Sequence, residues 1–576
     1  MLDAPLKLLP MPTIVHHFVR QLTERPDKGA LWFHRDGETI EATWRQIARD
    51  VARVAAELKR AGIDRGDRVA LAAPNRYEWI TTDLAILAIG AVNVPIHNSL
   101  TGAQMWFQIV DSDAKVVILA GDDQAQKLAD AGPPGATDGA GGRLPHFLSF
   151  DPTEIAVSGR KVEVLDDFSH ERVDERSLLL KPGEHGALVV DLEAGDLATI
   201  LYTSGTTGEP KGVMLSHGNI TSNAECNVVG FGGPRDERRL NLLPFSHIFA
   251  RTCDLYCWVV GGSEMALCDA PQTAVENAAE FAPHIINAVP YFYERVMRKM
   301  VELGVADMPD VLSYGLGGQI IHLCSGGAPL PPHVADFFTS RGVLLTQGYG
   351  LTETSPVITM NTPDIHKHGT VGKPFGAIEV RIAGDGEVLT RGPHVMLGYW
   401  RRPEETTAAL EGGWFHTGDL GEIDSEGFLK ITGRKKELIV TSGGKKAVPS
   451  PIEALITADP LVRQAVVIGD GRKYLAALVV PEREALVAAL VMKGVSVSCD
   501  DVCKHPQAER TLLDAISKRT AGLSPYEQIR RCAVLEREFS IEKEELTLTM
   551  KLRRQEIAKN FAPEIEHMYA AEREKD

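Results

Sequence analysis

Cysteine is scarce. Eight residues in a chain of 576 are too few for a disulfide-built scaffold, which excludes a small secreted module. Basic charge is also short: 61 lysines and arginines face 78 acidic residues, for a formal charge of -17. Nothing in that balance advertises a nucleic-acid surface, although a local basic pocket stays open. Long apolar runs are missing as well. The stretch nearest to spanning length, WITTDLAILAIGAVNVPI, is interrupted by Asp83 and ended by Asn93 and Pro95. It reads as a buried helix running into a strand rather than a membrane span. The opening MLDAPLKLLPMPTIVHHFVRQL lacks the basic-then-apolar order and small-residue cleavage site of a secretory signal. The cytosol is the expected compartment.

What the chain does have is core-forming material. Apolar residues make up 44% of it, enough for sizeable cores, and its length suggests about four folding units or two to three larger ones. Ile47, Val51, Val54 and Leu58 recur at helical spacing, with Asp50, Arg53 and Glu57 assigned to the solvent side. Gly62 can stop this helix. RVALAAPN, AVNVPI and KVVILA then read as short buried strands, with a helix over Trp79–Ile89 between the first two. Helices alternating with short buried strands predict an α/β architecture with covered sheets. The Gly-, Ala-, Pro- and Asp-rich segment from Gly121 to Arg143 reads as a surface excursion without a core of its own. GWFHTGDLGEIDSEGFLKITGR reads as turn-separated strands that end near Gly433. Beyond it, QAVVIGD and YLAALVVP read as strands, each followed by a helical pattern. The expected division is a large multi-subdomain unit over 1–433 and a smaller α/β unit over 434–576.

The chemistry concentrates after the apolar run Leu197–Tyr202, in TSGTTGEPKG at 203–212. Gly205, Gly208 and Gly212 allow turns that a Cβ would obstruct. The hydroxyls of Thr203, Ser204, Thr206 and Thr207 can donate to phosphate oxygens, and Lys211 adds positive charge. The spacing is neither that of G-x-x-x-x-G-K-[ST] nor that of G-x-G-x-x-G. The bland alternative is a polar surface turn between two strands.

With this segment the chain resembles the adenylate-forming enzymes: acyl-CoA synthetases, adenylation domains of peptide synthetases, and luciferases. YTSGTTGEPKG at 202–212 is similar to their phosphate-binding signature. LPFSH at 243–247, SGGAPL at 325–330, GYGLTE at 348–353, TGD at 417–419, GRKKELIVTSGGK at 433–445 and LTLTMKLRR at 546–554 follow in family order. Within the family the likeness runs toward long-chain fatty-acid–CoA ligases, through VIGDGRKYLAALVVP at 467–481, LTRGPHVMLGYW at 389–400 and the C-terminal tail. Two departures stand out. LTLTM replaces the proline- and glycine-rich loop usual before the last lysine of shorter-acid ligases, and KKAVPSPIE replaces the Asn–Val pair common in long-chain ligases.

The resemblance implies attack of a carboxylate on the α-phosphorus of ATP, then attack of the CoA thiol on the acyl-adenylate. It implies Mg²⁺ as cofactor, with a fatty acid, ATP and CoA as partners and no nucleic acid. Thr203, Ser204, Gly205, Thr206, Thr207, Gly208 and Lys211 would hold phosphates. Thr352 would contact the α-phosphate, and Glu353 with Thr207 would bind the metal. Gly327, Ala328 and Tyr349 would form the adenine pocket, and Asp419 and Arg434 would meet the ribose. Lys551, rather than Lys543, would bridge the carboxylate and α-phosphate. Lys435 would be the hinge of a mobile small domain. Gly443, Gly444 and Lys445 would face CoA. Phe245, His247, Phe249 and Cys324 would neighbour the acyl group, and LSYGLGGQIIHLCSGG could line a chain tunnel. A dozen further methylenes at about 0.8 kcal/mol each could contribute roughly 10 kcal/mol before ordering costs, which motivates such a tunnel.

Several alternatives stay open: another hydrophobic or aryl acid, a carrier protein as acceptor, or a non-catalytic acyl or nucleotide sensor. Peripheral membrane contact is the most that a bilayer-partitioning substrate calls for, and a homodimer would fit family behaviour. Cys253 and Cys257 read as structural thiols in apolar surroundings. Cys499, Cys503 and His505 do not add up to four metal ligands.

Overall fold

The computed structural model describes residues 12–134, 144–165, 175–179, 181, 184, 187–203, 209–233, 235–308, 310–547 and 551–570. Among them the strands form a nine-stranded, an eight-stranded, a four-stranded, a three-stranded and a two-stranded sheet. The two largest are mostly parallel and flanked by helices, as the alternation predicted. In one, Arg68–Ala72 lies between Val92–Ile96 and Val116–Leu119, all parallel. In the other, Arg238–Asn241, Ile285–Ala288, His322–Ser325 and Leu345–Gly350 are successive parallel neighbours. Antiparallel strands Glu379–Ile382, Glu387–Arg391, Phe415–Ile423 and Leu429–Arg434 make the four-stranded sheet.

The predicted stripe forms the helix Trp44–Arg60. Thr43 caps it by accepting from the Gln46 amide, and the Gln46 side chain accepts from the Thr43 amide at 2.7 Å. Ile47, Val51 and Leu58 are fully buried, and Gly62, at φ +79°, lets the chain turn away. Glu57 corrects the expected solvent face. It is buried and contacts Arg60, so one turn of the polar side is covered by neighbouring structure. A second correction falls in Gly121–Arg143. Asp122–Ala131 is a helix whose Ala125 and Leu128 are buried, and the Leu128 carbonyl accepts from Trp106 Nε1 at 2.9 Å. Residues 135–143 lie outside the described residues.

In the smaller unit, Leu475–Pro481 is the centre of the three-stranded sheet, antiparallel to Val462–Ile468 and parallel to Ile529–Val534. Both faces are covered. Leu475, Ala477 and Val479 join one core with Leu486 and Leu512, while Ala476, Leu478 and Val480 join another with Phe539 and Ile557. The period of two thus feeds two cores from one strand. The sequence reading placed a helical pattern after both strands. Instead Val462–Ile468 turns straight into Leu475–Pro481 as a hairpin, and a helix, Arg483–Met492, follows the second strand.

A buried ionic node joins the layers of the large unit. The helix carrying Arg251 runs from Ile248 through a π-helical stretch, Arg251–Tyr256, to Gly261. Arg251 Nη2 meets Asp83 Oδ1 at 2.5 Å with both side chains 0% exposed. Arg251 also donates to Thr199 Oγ1 at 2.7 Å, while Asn93 and Tyr256 donate to Asp83 at 2.6 and 3.0 Å. The same Asp83 that interrupted the apolar run is therefore a fully paired interior charge. Among the described residues no helix is long and apolar enough to cross a membrane. Asp83→Ala, which strands Arg251 in the interior, should lower the large unit's stability by about 3–5 kcal/mol. Asp83→Leu with Arg251→Met should recover much of that loss. Denaturant midpoints of the three proteins check this.

Candidate active site

A cleft with about 780 Å³ of space, part of it open to solvent, lies at the C-terminal ends of the parallel strands in the nine-stranded sheet. Crevices at strand ends are where open α/β sheets bind ligands. Its upper wall is backbone: Gly326 and Gly327 follow the strand His322–Ser325, and Gly348–Thr352 continues from its parallel neighbour. A side chain at Gly326 would put its Cβ 2.8 Å from the Phe249 ring, so glycine there keeps the backbone open to the cleft.

Tyr349 ties this wall to a buried carboxylate. Its hydroxyl donates to Asp419 Oδ2 at 2.7 Å, and Arg434 Nε lies 2.8 Å from Asp419 Oδ1. Asp419 and Arg434 are register partners on adjacent antiparallel strands, which fixes the pair. Burial pushes the Tyr349 phenol well up, and the Asp419 carboxylate adds to it. Lys551, far away in sequence, reaches the same cleft. Burial pushes its ammonium down to about 8, helped by the Arg434 charge, while Asp419 and Glu353 pull the other way. The Lys551 segment is held by its own turn: the Lys551 amide donates to Thr547 Oγ1 at 3.0 Å and the Thr547 amide to the Lys551 carbonyl at 2.8 Å.

The phosphate segment is a hairpin. Thr203 ends the strand Leu197–Thr203 and pairs in register with Lys211 of Lys211–Ser216. Ser204, Gly205, Thr206, Thr207 and Gly208 lie outside the described residues. Lys211 does not line the cleft. It pairs with Glu405 and lies 5.2 Å from the centre of the Tyr399 ring. Tyr399 in turn donates to Glu353 Oε1 at 3.0 Å. Thr352 lines the cleft on the 3₁₀ turn Thr352–Thr354, which also carries Glu353.

Of the four acyl-side residues, His247, Phe249 and Cys324 line the cleft. Phe245 does not: it is fully buried against Trp79, with ring centres 5.2 Å apart, and that expectation is corrected. Ala328 is outside the lining too, although Gly327 beside it is within. His247 Nδ1 accepts from the Phe249 amide at 3.3 Å, and burial pushes its pKa down to about 3. At that value the imidazole is neutral near neutral pH. The tunnel expected from LSYGLGGQIIHLCSGG shrinks to its end. His322 and Cys324–Gly327 line the cleft, whereas Val311–Gly315 is a short helix elsewhere.

A model of the AMP-binding enzyme matches residues 18–400, and one of the AMP-binding enzyme C-terminal domain matches 436–573. The chain belongs to the AMP-binding enzyme family. It is an AMP-forming acid–thiol ligase of the kind that makes acyl-adenylates from ATP, and its family requires Mg²⁺-ATP and CoA. This AMP-binding enzyme is 32% identical over 600 residues to the long-chain-fatty-acid–CoA ligase FadD15 of Mycobacterium bovis, covering 95% of this chain and 96% of that protein. It is 32% identical over 441 residues to a feruloyl-CoA synthase of Amycolatopsis sp., covering 74% and 80%. The solved anthranilate CoA ligase AuaEII in complex with anthranoyl-AMP has the same fold, with a TM-score of 0.77 at 21% identity, covering 96% and 99% of the two chains.

In this AMP-binding enzyme Gly443, Gly444 and Lys445 are exposed on a turn outside the cleft lining, with Lys445 5.8 Å from the Tyr526 ring centre. Lys435 follows Arg434 directly and pairs with Asp385 at 2.6 Å and Glu387 at 3.1 Å. One face of the small unit, bearing Lys551, is thus turned to the cleft while the glycine turn is not. Sequence reasoning missed how that face is braced. Arg554 makes a bidentate pair with Glu453 at 2.5 and 2.6 Å and meets Glu437 at 3.1 Å. In sequence, Arg554 was one member of a basic run, with nothing to mark its partners. Glu453→Gln should cost roughly 1.5–3 kcal/mol locally by replacing a charged acceptor with a neutral one. Amide hydrogen exchange in Arg554–Asn560 should speed up while the strands of the large unit stay protected.

Proposed function

We propose that this AMP-binding enzyme activates a long-chain fatty acid with ATP and transfers the acyl group to CoA, releasing pyrophosphate and AMP. The observation that carries the reading is Lys551 in the cleft, beside the Tyr349, Gly327 and Thr352 wall and within the fields of Asp419, Arg434 and Glu353. The near full-length likeness to a long-chain-fatty-acid–CoA ligase supports the substrate class. The substrate carboxylate attacks the α-phosphorus of ATP. Negative charge then grows on the phosphoryl oxygens, where the Lys551 ammonium and the Thr352 hydroxyl donate. Tyr349, Gly327 and Ala328 would enclose adenine, and Asp419 with Arg434 would take the ribose hydroxyls. Thr203 through Gly208 and Lys211 would hold the phosphates, which requires Lys211 to leave Glu405.

Glu353 fits a magnesium ligand. One carboxylate oxygen accepts from Tyr399, and the other has no hydrogen bond among the described residues. Among the described residues no group of three or more His, Cys, Asp or Glu converges on a metal. One or two protein oxygens with nucleotide phosphates is the usual magnesium set, so Glu353 and Thr207 would hold the ion, which supplies charge neutralisation at the phosphates. We place the domain boundary at Gly433–Arg434 and the hinge at Lys435. Rotation there would bring Gly443, Gly444 and Lys445 to the cleft for thioester formation. The cytoplasm, with peripheral membrane contact, suits a substrate that partitions into bilayers. Likeness to a feruloyl-CoA synthase favours an aryl acid as the second reading.

Incubation with ATP, CoA and acids from acetate through oleate to ferulate, with AMP and acyl-CoA identified, tests the proposal. Oleate should lead; better turnover of acetate or ferulate would overturn the long-chain assignment. Lys551→Ala should slow adenylate formation by about 10²–10³-fold, the loss expected for one strong transition-state donor. It should leave thioester formation from presynthesised acyl-adenylate nearly intact. Because Lys551 loses its proton as pH rises through about 8, adenylation in kcat/KM should be full below that pH and decline above it. Lys551→Arg, charged throughout, should flatten the decline in a single-turnover profile.

A further inference from the structure

The end of the cleft away from Lys551 is not the closed apolar tube that a plain alkyl chain calls for. The depth follows from sheet register. Arg239 pairs with Ile285, and Ile285 with His322. His322 precedes Gly326 by four residues, so at about 3.3 Å per residue the Arg239 row lies roughly 13 Å deeper than the Gly326 backbone. Between the two levels the wall is mostly apolar: Ile248, Phe249, Val357 and Met360. At the deep level it is not. Arg239 and His322 line the cleft there with Phe231, and Asn287, level with Cys324, lines it two residues nearer the opening.

Arg239 forms no ion pair among the described residues. Its Nη1 donates to the Cys253 carbonyl at 3.2 Å, while Nε is buried with no hydrogen-bond partner. No carboxylate lies within ion-pair distance among the described residues. Asp254, buried next to Cys253, feels the Arg239 charge, but its hydrogen bonds come from Asn241 at 2.9 Å and Asn287 at 2.6 Å. His322 stacks on Phe231 with ring centres 4.5 Å apart and planes 7° apart, and its ring nitrogens have no hydrogen-bond partner among the described residues. A half-buried guanidinium with an unpaired donor is costly to maintain unless something pairs with it. Guanidinium matches carboxylate geometry, with two N–H groups meeting two oxygens.

We propose that the acid activated here carries a second carboxylate at the far end of its chain, bound by Arg239 at the bottom of the cleft. This rests on the acid–CoA ligase reading above and narrows its substrate class to α,ω-dicarboxylic acids. One carboxylate is adenylated beside Lys551, the methylenes lie along Phe249, Val357 and Met360, and the other carboxylate stays ionised against Arg239. The Arg239 charge thereby selects against the plain fatty acid of equal length, which would leave the guanidinium desolvated and unpaired.

The test compares matched pairs, dodecanoic with dodecanedioic acid and hexadecanoic with hexadecanedioic acid, by pyrophosphate release and CoA-thioester formation. In the wild-type enzyme one diacid should exceed its monoacid partner at least about tenfold in kcat/KM, the worth of one charged hydrogen bond. Arg239→Leu should lower the diacid's kcat/KM by roughly 10- to 100-fold, chiefly through KM, and raise that of the monoacid. Arg239→Lys keeps the charge without the fork and should retain part of the preference; it serves as the readout if the leucine variant does not fold. Monoacids used as well as diacids by the wild type, or equal losses for both in the variants, would overturn the proposal. Failure of every acid, including oleate, acetate and ferulate, to release pyrophosphate would instead overturn the ligase reading and this inference with it.

Discussion

The arrangement of the site depends on Asp419, a carboxylate buried to 3% exposure where three elements meet. A charge in that position is unfavourable by several kcal/mol unless each oxygen is engaged. Tyr349 engages one oxygen and Arg434 the other. The aromatic wall of the cleft, the antiparallel sheet beside it and Arg434 at the end of its last strand are thereby locked into one geometry. Lys551 sits in the resulting field, attracted by Asp419 and Glu353 and repelled by Arg434, so its proton affinity is a property of the assembled units rather than of its own segment.

Beneath this site the large unit uses the same device a second time. Asp83 and Arg251 are fully enclosed, and their hydrogen bonds are made with Asn93, Thr199, Tyr256 and each other, on the helices and strands that meet there. Buried pairs of this kind add little net stability compared with apolar packing, but they penalise any other register of the layers. The helix that supplies Arg251 also supplies Cys253 and Cys257 to the cleft, which couples the packing of the core to the shape of the acyl end. The small unit is built differently. Its central strand feeds two separate apolar cores, and its contact face is braced by Arg554 on Glu453 and Glu437.

Much of this was legible in one dimension. Short buried strands alternating with capped helices depend on local periodicity and turn chemistry, so the α/β class, the helix Trp44–Arg60 and the strand Leu475–Pro481 could be read directly. The helix Asp122–Ala131 was lost because its composition is that of a loop, and its burial comes from Trp106, a contact no local pattern encodes. The hairpin after Val462–Ile468 was lost for the opposite reason: the residues between the strands do not declare whether the chain turns back or crosses over. The ordered motifs named the glycine wall, Tyr349, Asp419, Arg434 and Lys551, which the fold places in one neighbourhood, because each belongs to a contiguous segment with its own signature.

Side-chain direction was another matter. Phe245 and Phe249 are four residues apart in one segment, yet one is packed on Trp79 and the other faces the cleft, since the turn into the helix at Ile248 rotates them apart. Arg239 carried no signal at all; in the sequence it is one of two adjacent arginines at the start of a strand, and Arg238 takes the acidic partner, Glu264. By itself the sequence determined the family, the two units and the list of chemical groups, because those follow from composition, periodicity and contiguous motifs. Only the tertiary structure decided which phenylalanine lines the cleft and which arginine is left without an ion pair at its depth, because these depend on strand register and on side chains brought together from distant segments.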